Sequence, residues 1–158
     1  MIRFRCLFVF LLSIGFCWGA SAQAADDAAR TAEKILGQSG VQGGIVVHLG
    51  AGDGSLTAAL AAGDGFTVHG LEADPAKVTA AQEAILDGGR YGMVSVEQFG
   101  GGRLPYTDNL VNLIVVEDAK LLSDHEILRV LAPEGSVCVR EGERWTCVKK
   151  PRPADKGV

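Results

Sequence analysis

Residues Ile45-Val46-Val47-His48-Leu49 run directly into Gly50-Ala51-Gly52-Asp53-Gly54 and then into Ser55 to Ala62, and no other stretch constrains the fold of this chain as much. Five residues, mostly β-branched and apolar, suit a strand buried on both faces. Three glycines at alternate positions follow, and then a helix-forming segment. The order is therefore strand, turn, helix. Glycines are needed where the backbone takes a positive φ or where a ligand approaches closer than a Cβ permits, and a helix start offers free N–H groups. Such a turn can hold a nucleotide-like ligand, although a merely tight connection would use the same residues.

At 158 residues the chain suffices for one domain with a core and is too short for two. Residues 1–24 stand apart. Arg3 and Arg5 precede an apolar run from Cys6 to Phe16, and Ala22-Gln23-Ala24 has the small-x-small pattern of a signal-peptidase site. We read an export signal cut after Ala24, which makes the mature protein periplasmic or secreted and brings it to a membrane only during export. An uncleaved anchor is the competing reading, but the run is short for a span. Loss of Arg3 and Arg5 takes the net charge from −4 to −6, and no basic-aromatic patch is present, so nucleic acid is not the expected partner.

Asp26 to Leu36 reads as a short helix with Gly37 as its C-cap. Phe66 to Glu72 is a second strand. Asp74 then suits an N-cap and Pro75 a first helical residue, with Val78, Ala81, Ile85 and Leu86 as one apolar stripe. Met93 to Phe99 and Leu110 to Val116 are the third and fourth strands, the latter apolar enough to be central. Ser123-Asp124-His125-Glu126 has the form of a capping box, opening a helix through Leu131 that Pro133 stops. Gly135 to Arg140 is the fifth strand, and Arg144 to Val148 returns antiparallel after a Gly142-Glu143 turn. That turn sets Cys138 opposite Cys147 at a non-hydrogen-bonded pair, where a disulfide is possible and a pair of half-buried thiols is the alternative. Residues 149–158 have linker chemistry, so the domain is expected over 25–148, with room for a further domain beyond Val158.

Alternating strands and helices imply a parallel sheet covered on both faces, with a ligand at the carboxyl ends of the strands. Here the sequence resembles the class I, Rossmann-like S-adenosylmethionine-dependent methyltransferases of the small-molecule type, over about Gly43 to Val139. Val46 to Gly54 looks like the family's glycine motif and Gly70-Leu71-Glu72-Ala73-Asp74 like its acidic strand end. Leu104 to Asn109 and Ile127 to Gly135 look like its later motifs. The resemblance implies an α/β fold, a three-layer Rossmann-like parallel sheet with helices on both faces, ending here in a short antiparallel hairpin. It implies S-adenosylmethionine as cofactor, held by His48, Gly50, Ala51, Gly52, Gly54, Glu72 and Ala73, and a small-molecule methyl acceptor. Glu72 lies where a carboxylate can accept hydrogen bonds from ribose hydroxyls, a placement that a dinucleotide fold shares. Ser55, standing where G-x-G-x-x-G needs its last glycine, disfavours the dinucleotide.

The departures bear on function. His48 stands where the family has an acidic residue for the cofactor's amino group, and losing a charge-assisted bond costs ~1.5–3 kcal/mol. An aspartate at position 48 is therefore expected to tighten binding. Phe99-Gly100-Gly101-Gly102 offers only backbone where the family has a carboxylate for adenine, and Asn112 replaces an aspartate that the family often has. Glu117 and Asp118, just past the fourth strand, are the carboxylates placed to act as a base, if they are not simply solvated. His48 and His69 are expected side by side on neighbouring strands, and no metal-ligand spacing links them to His125. Two functions remain: a methyltransferase, weak or incomplete as the chain stands, or an exported, non-catalytic ligand-binding or scaffolding module of the same fold.

Overall fold

The structure is a computed structural model that describes residues 19–152. The basic and apolar parts of the expected export signal, and residues 153–158, lie outside it. Six strands, β1 Gly44–Leu49, β2 Phe66–Glu72, β3 Val94–Gln98, β4 Val111–Val116, β5 Leu131–Glu141 and β6 Arg144–Lys149, form one sheet in the order β3-β2-β1-β4-β5-β6. β1 to β5 are parallel and β6 is antiparallel. The chain winds outward from β1 to β3 and then returns to the other side of β1 with β4. The strand order thus reverses between β1 and β4, where open α/β sheets leave a crevice at their carboxyl edge.

Both faces of the central strands are buried, which explains their unbroken apolar character. Val46, Val68, Leu113, Val115 and Cys138 face one layer, made by α1 Gly19–Ser39, α2 Ser55–Leu60 and α3 Pro75–Asp87. Val47, Leu49, Leu71, Ile114 and Val116 face the other, made by α4 Asp124–Val130 and the long connection from Phe99 to Leu110, whose Leu104 is buried. At each site a full Val, Ile or Leu side chain leaves water, which is worth roughly 1.5–3 kcal/mol before entropy is counted.

Several local expectations shift. α1 does not stop at Gly37 but runs to Ser39, and Gly40, at φ 68°, is the C-terminal glycine, its N–H bonded to Leu36 O at 3.1 Å. Tertiary contacts outweigh the cost of a helical glycine: Ala32 and Ile35 are buried, and Ser136 donates its hydroxyl to Ser39 O at 2.9 Å. In α3, Asp74 caps by accepting from Ala76 N, and Val78, Ala81 and Ile85 are buried; Leu86 drifts off the stripe and is exposed. Pro133 lies inside β5, which begins at once after α4. His48 and His69 are not side by side. The register pairs Val47 with His69 and His48 with Gly70, so the two histidines face opposite layers.

The hairpin pairs Glu141 with Arg144, Arg140 with Trp145, Val139 with Thr146 and Cys138 with Cys147, and the two cysteines form a disulfide with a Cα separation of 4.0 Å. Cys138 and Cys147 lie under α1 together with Trp145. β6 takes in Lys149, and Lys150 caps the end of α4, its ammonium donating to Leu128 O and Leu131 O. The first expected linker residues are therefore part of the fold. Reducing the disulfide, which closes a loop of nine residues' separation, is expected to lower the unfolding free energy by about 2–3 kcal/mol. The measurement is the urea midpoint with and without dithiothreitol. An unchanged midpoint would mean that α1 alone secures the hairpin.

Candidate ligand site at the carboxyl edge

Glu72 ends β2 and is buried, and its carboxylate organises the glycine turn. Oε2 accepts from Gly52 N at 2.8 Å, while Oε1 accepts from Ala73 N at 2.9 Å and Asp74 N at 3.1 Å. Burial works against the charge, but the three backbone donors, with Lys77 beyond them, outweigh it and hold the carboxyl below the usual range. Gly50 N donates to Leu71 O at 2.8 Å, and Gly54, at φ 80°, donates to Ala51 O and starts α2. A Cβ on Gly54 would press on Ala81 Cβ at 2.9 Å, so glycine lets α2 lie against α3. Gly50, Ala51, Gly52, Gly54, Glu72 and Ala73 thus converge at the ends of β1 and β2. A carboxylate has about four acceptor positions, and three are taken. One remains for a ligand hydroxyl, and a Cβ on Gly52 would meet only Gly50 O, at 4.0 Å.

His48 belongs to a different cluster. Its ring is buried, with Nδ1 at 2.8 Å from Thr57 Oγ1, and Nε2 3.7 Å from Glu117 Oε1, too far for a hydrogen bond. Glu117 Oε2 accepts from Arg140 Nη1 at 2.7 Å, and Arg140 Nε donates to Gly142 O at 2.9 Å. Hydroxyl, imidazole and carboxylate stand in line, yet Thr57 is fully buried and can attack nothing. Burial opposes ionisation of Glu117, and His48 and Arg140 together reverse this, so its carboxyl ionises below the ordinary value. A carboxylate paired with a guanidinium is a weaker proton acceptor than a free one. Asp118 is also engaged, its side chain accepting from Lys120 N at 2.9 Å to cap the 3-10 turn Ala119–Leu121. Asn112 has a structural task at the opposite edge, where its Oδ1 accepts from Ile45 N at 2.9 Å.

The connection from Phe99 to Leu110 is fastened by Arg129, which no local pattern announces. Its guanidinium donates to Leu104 O, Tyr106 O, Asp108 Oδ1 and both oxygens of Glu126. Glu126 also accepts from Leu104 N at 2.7 Å, so only half of the capping box forms: Ser123 Oγ accepts from Glu126 N, while the glutamate side chain is used elsewhere. The Arg129 bonds, joined by that of Leu104 and opposed by burial, lower the Glu126 pKa to about 2 from 4.5. Because the folded pKa lies below the unfolded one, this stabilisation is whole above pH 4.5 and is lost as the pH falls toward 2. The urea midpoint is expected to fall through that window, and Glu126→Gln to flatten this part of the profile. On the same face, Tyr106 OH lies 2.6 Å from His69 Nδ1; burial, with Glu97 opposing, lowers the histidine pKa. His125 lines an open cleft beside α4 with Arg103 and Lys120. Among the described residues no group of three His, Cys, Asp or Glu side chains could hold a metal, and no helix is long and apolar enough to cross a membrane.

No protein-family model matches the chain, and no curated protein matches it by sequence. Solved structures do match. A Methanococcus maripaludis protein assigned to the S-adenosyl-L-methionine-dependent methyltransferases superposes with a TM-score of 0.66 at 25% identity, over 75% of this chain and 57% of its own. Geranyl diphosphate methyltransferase in complex with S-adenosylmethionine gives 0.62 at 18% identity, over 78% and 54%. The [4+2]-cyclase SpnF gives 0.63 at 23% identity, over 78% and 53%. The chain has the class I S-adenosylmethionine-dependent methyltransferase fold, and it spans about half the length of these structures.

Proposed function

We propose that the carboxyl edge of this sheet binds S-adenosylmethionine, with Glu72 on the ribose and the Gly50–Gly54 turn against the ligand, and that the chain belongs functionally with the methyltransferases. The observation that carries this is the bond from Gly52 N to Glu72 Oε2, which ties the turn to the carboxylate while leaving one acceptor position free. Bound there, S-adenosylmethionine supplies a sulfonium methyl group for in-line displacement. The chain's own residues position it. With Glu117 paired to Arg140 and Asp118 capping a turn, neither of these two carboxylates is a free base, so acceptors that need lose no proton at neutral pH, such as thioethers and aromatic ring nitrogens, are favoured. One hydroxyl can bond Glu72 without loosening the turn; a second must displace Gly52 or Asp74. Binding is therefore expected to be modest.

The second reading is an exported, non-catalytic ligand-binding module. The Cys138–Cys147 disulfide supports an oxidising compartment, whereas S-adenosylmethionine is made and used in the cytoplasm. A fold shared with a cyclase does not by itself bring methyl transfer. Calorimetry with S-adenosylmethionine and S-adenosylhomocysteine on the oxidised full chain, followed by a methyl-transfer assay on small thioethers and imidazoles, separates the readings. Micromolar to sub-millimolar binding with transfer supports the enzyme. Binding without transfer supports the module, and no binding of either compound defeats the S-adenosylmethionine assignment and leaves the scaffold reading as the better one.

A further inference from the structure

A cleft of about 570 Å³ opens on the α4 side of the sheet, between the connection that follows β3, the 3-10 turn that follows β4 and the first turn of α4. Each of these three segments brings it one basic side chain, Arg103, Lys120 and His125 in turn. It shares no residue with the glycine turn or with Glu72. We propose that this cleft binds the phosphate group of a small phosphate monoester, held by Arg103 and Lys120 with His125 as a further donor. The site stands whether or not the turn takes S-adenosylmethionine.

Two cations of the wall are free, and its one carboxylate is not. Glu126 and Arg129 complete the charged wall and are spent on each other: both Glu126 oxygens accept from Arg129, and Oε1 also accepts from Leu104 N. The other Arg129 donors go to Leu104 O, Tyr106 O and Asp108 Oδ1. The side chains of Arg103 and Lys120 make no hydrogen bond or ion pair among the described residues, whereas Arg30, Arg140 and Arg152 each meet a carboxylate. The wall therefore holds two positive charges in excess, three when His125 is protonated, on a chain of net charge −4. Asp108, Asp118 and Asp124 adjoin the cleft but lie outside its wall, exposed to solvent, and the first two are bonded to Arg129 and to Lys120 N. A dianion inside touches the two free cations directly and these aspartates only across water.

Backbone donors stand beside the cations. The N–H groups of Gly102 and Arg103 bond no acceptor among the described residues, and nothing lies within 4 Å of where a Gly102 Cβ would stand, so an oxyanion can approach this stretch closely. Leu104, bonded through N and O to Glu126 and Arg129, fixes the backbone next to Arg103 against α4, and Asp118 fixes the turn that carries Lys120. Little freedom is left to lose on binding. Donors arriving from three segments suit a compact dianion with three oxygens better than the same charge divided over two carboxylates.

The test titrates the oxidised full chain with glycerol 3-phosphate, glycerol and succinate by calorimetry, in chloride buffer of constant ionic strength. Glycerol 3-phosphate is expected to bind once per chain, and glycerol, which lacks the phosphate, not measurably. Succinate, with its charge on two carboxylates, should bind roughly tenfold more weakly than glycerol 3-phosphate. Arg103→Gln and Lys120→Gln should each weaken glycerol 3-phosphate by roughly tenfold, the two together should abolish its binding, and His125→Gln should weaken it less. Arg103 and Lys120 are exposed, so wild-type urea midpoints should accompany the loss. Lys149→Gln makes the same change of charge on β6, outside the cleft, and should leave binding unchanged. No binding of glycerol 3-phosphate, equal binding of succinate, no effect of either single variant, or an equal effect of Lys149→Gln overturns the proposal.

Discussion

Replacing Glu72 by alanine is expected to abolish measurable binding of 5′-methylthioadenosine and to lower the unfolding free energy by about 2–4 kcal/mol. Both effects come from one carboxylate. The N–H groups of Gly52, Ala73 and Asp74 lose their acceptor together, and Gly52 loses its tie to β2. The ligand loses its acceptor as well, and the turn that should meet it is no longer held. Glu72→Gln sharpens the test. Its amide oxygen can still serve Ala73 and Asp74, but its NH2 faces the Gly52 N–H, donor against donor. It should recover part of the stability and little of the binding. A Glu72→Ala protein with the wild-type urea midpoint would show that the glycine turn stands without the carboxylate.

His48→Asp is the second large effect, and its sign is opposite to the one expected from the resemblance. An aspartate at 48 would be a second carboxylate beside Glu117, at a buried position where the ring now bonds Thr57. Uncompensated buried charge typically costs about 3–5 kcal/mol, so the variant should unfold at a clearly lower urea concentration and bind no more tightly than wild type. His48→Asn removes the ring without adding charge and should lose less. Tighter S-adenosylhomocysteine binding by a stable His48→Asp protein would return position 48 to the ligand site.

What could be read from the residues, and what could not, follows the range of the interactions. The strand before the glycines, the Asp74-Pro75 helix start and the hairpin register are local, and the structure has each of them where the sequence places it. The convergence of Glu72 on the glycine turn needed only neighbouring parallel strands. The Arg140–Glu117 pair joins β4 to β5 across a helix, and no pattern near either residue announces it. The Glu126 side chain reads locally as the partner of Ser123 N–H, yet Leu104 N and Arg129 claim it. The histidines were misplaced by a single residue of register, which in a sheet reverses the face. Gly37 reads as a stop from local propensity, while Ser39 is held from β5, 97 residues away.

The continuous path of α1 through Ala24 and Ala25 imposes an order of events on the proposed export route. A processing peptidase takes its substrate extended, and Ala24 and Ala25, although exposed, are helical. On that proposed route, removal of the leader requires the first turns of α1 to be unwound, which their exposure permits. Afterwards the helix begins at Ala25 with its contacts at Ala32, Ile35 and Ser39 intact. The new terminal ammonium stands at the positive end of the helix dipole, an unfavourable place that Asp26 and Asp27 directly offset. On the proposed route, helix formation over these residues would compete with processing, while the part of α1 that packs on the sheet is left untouched by the cut.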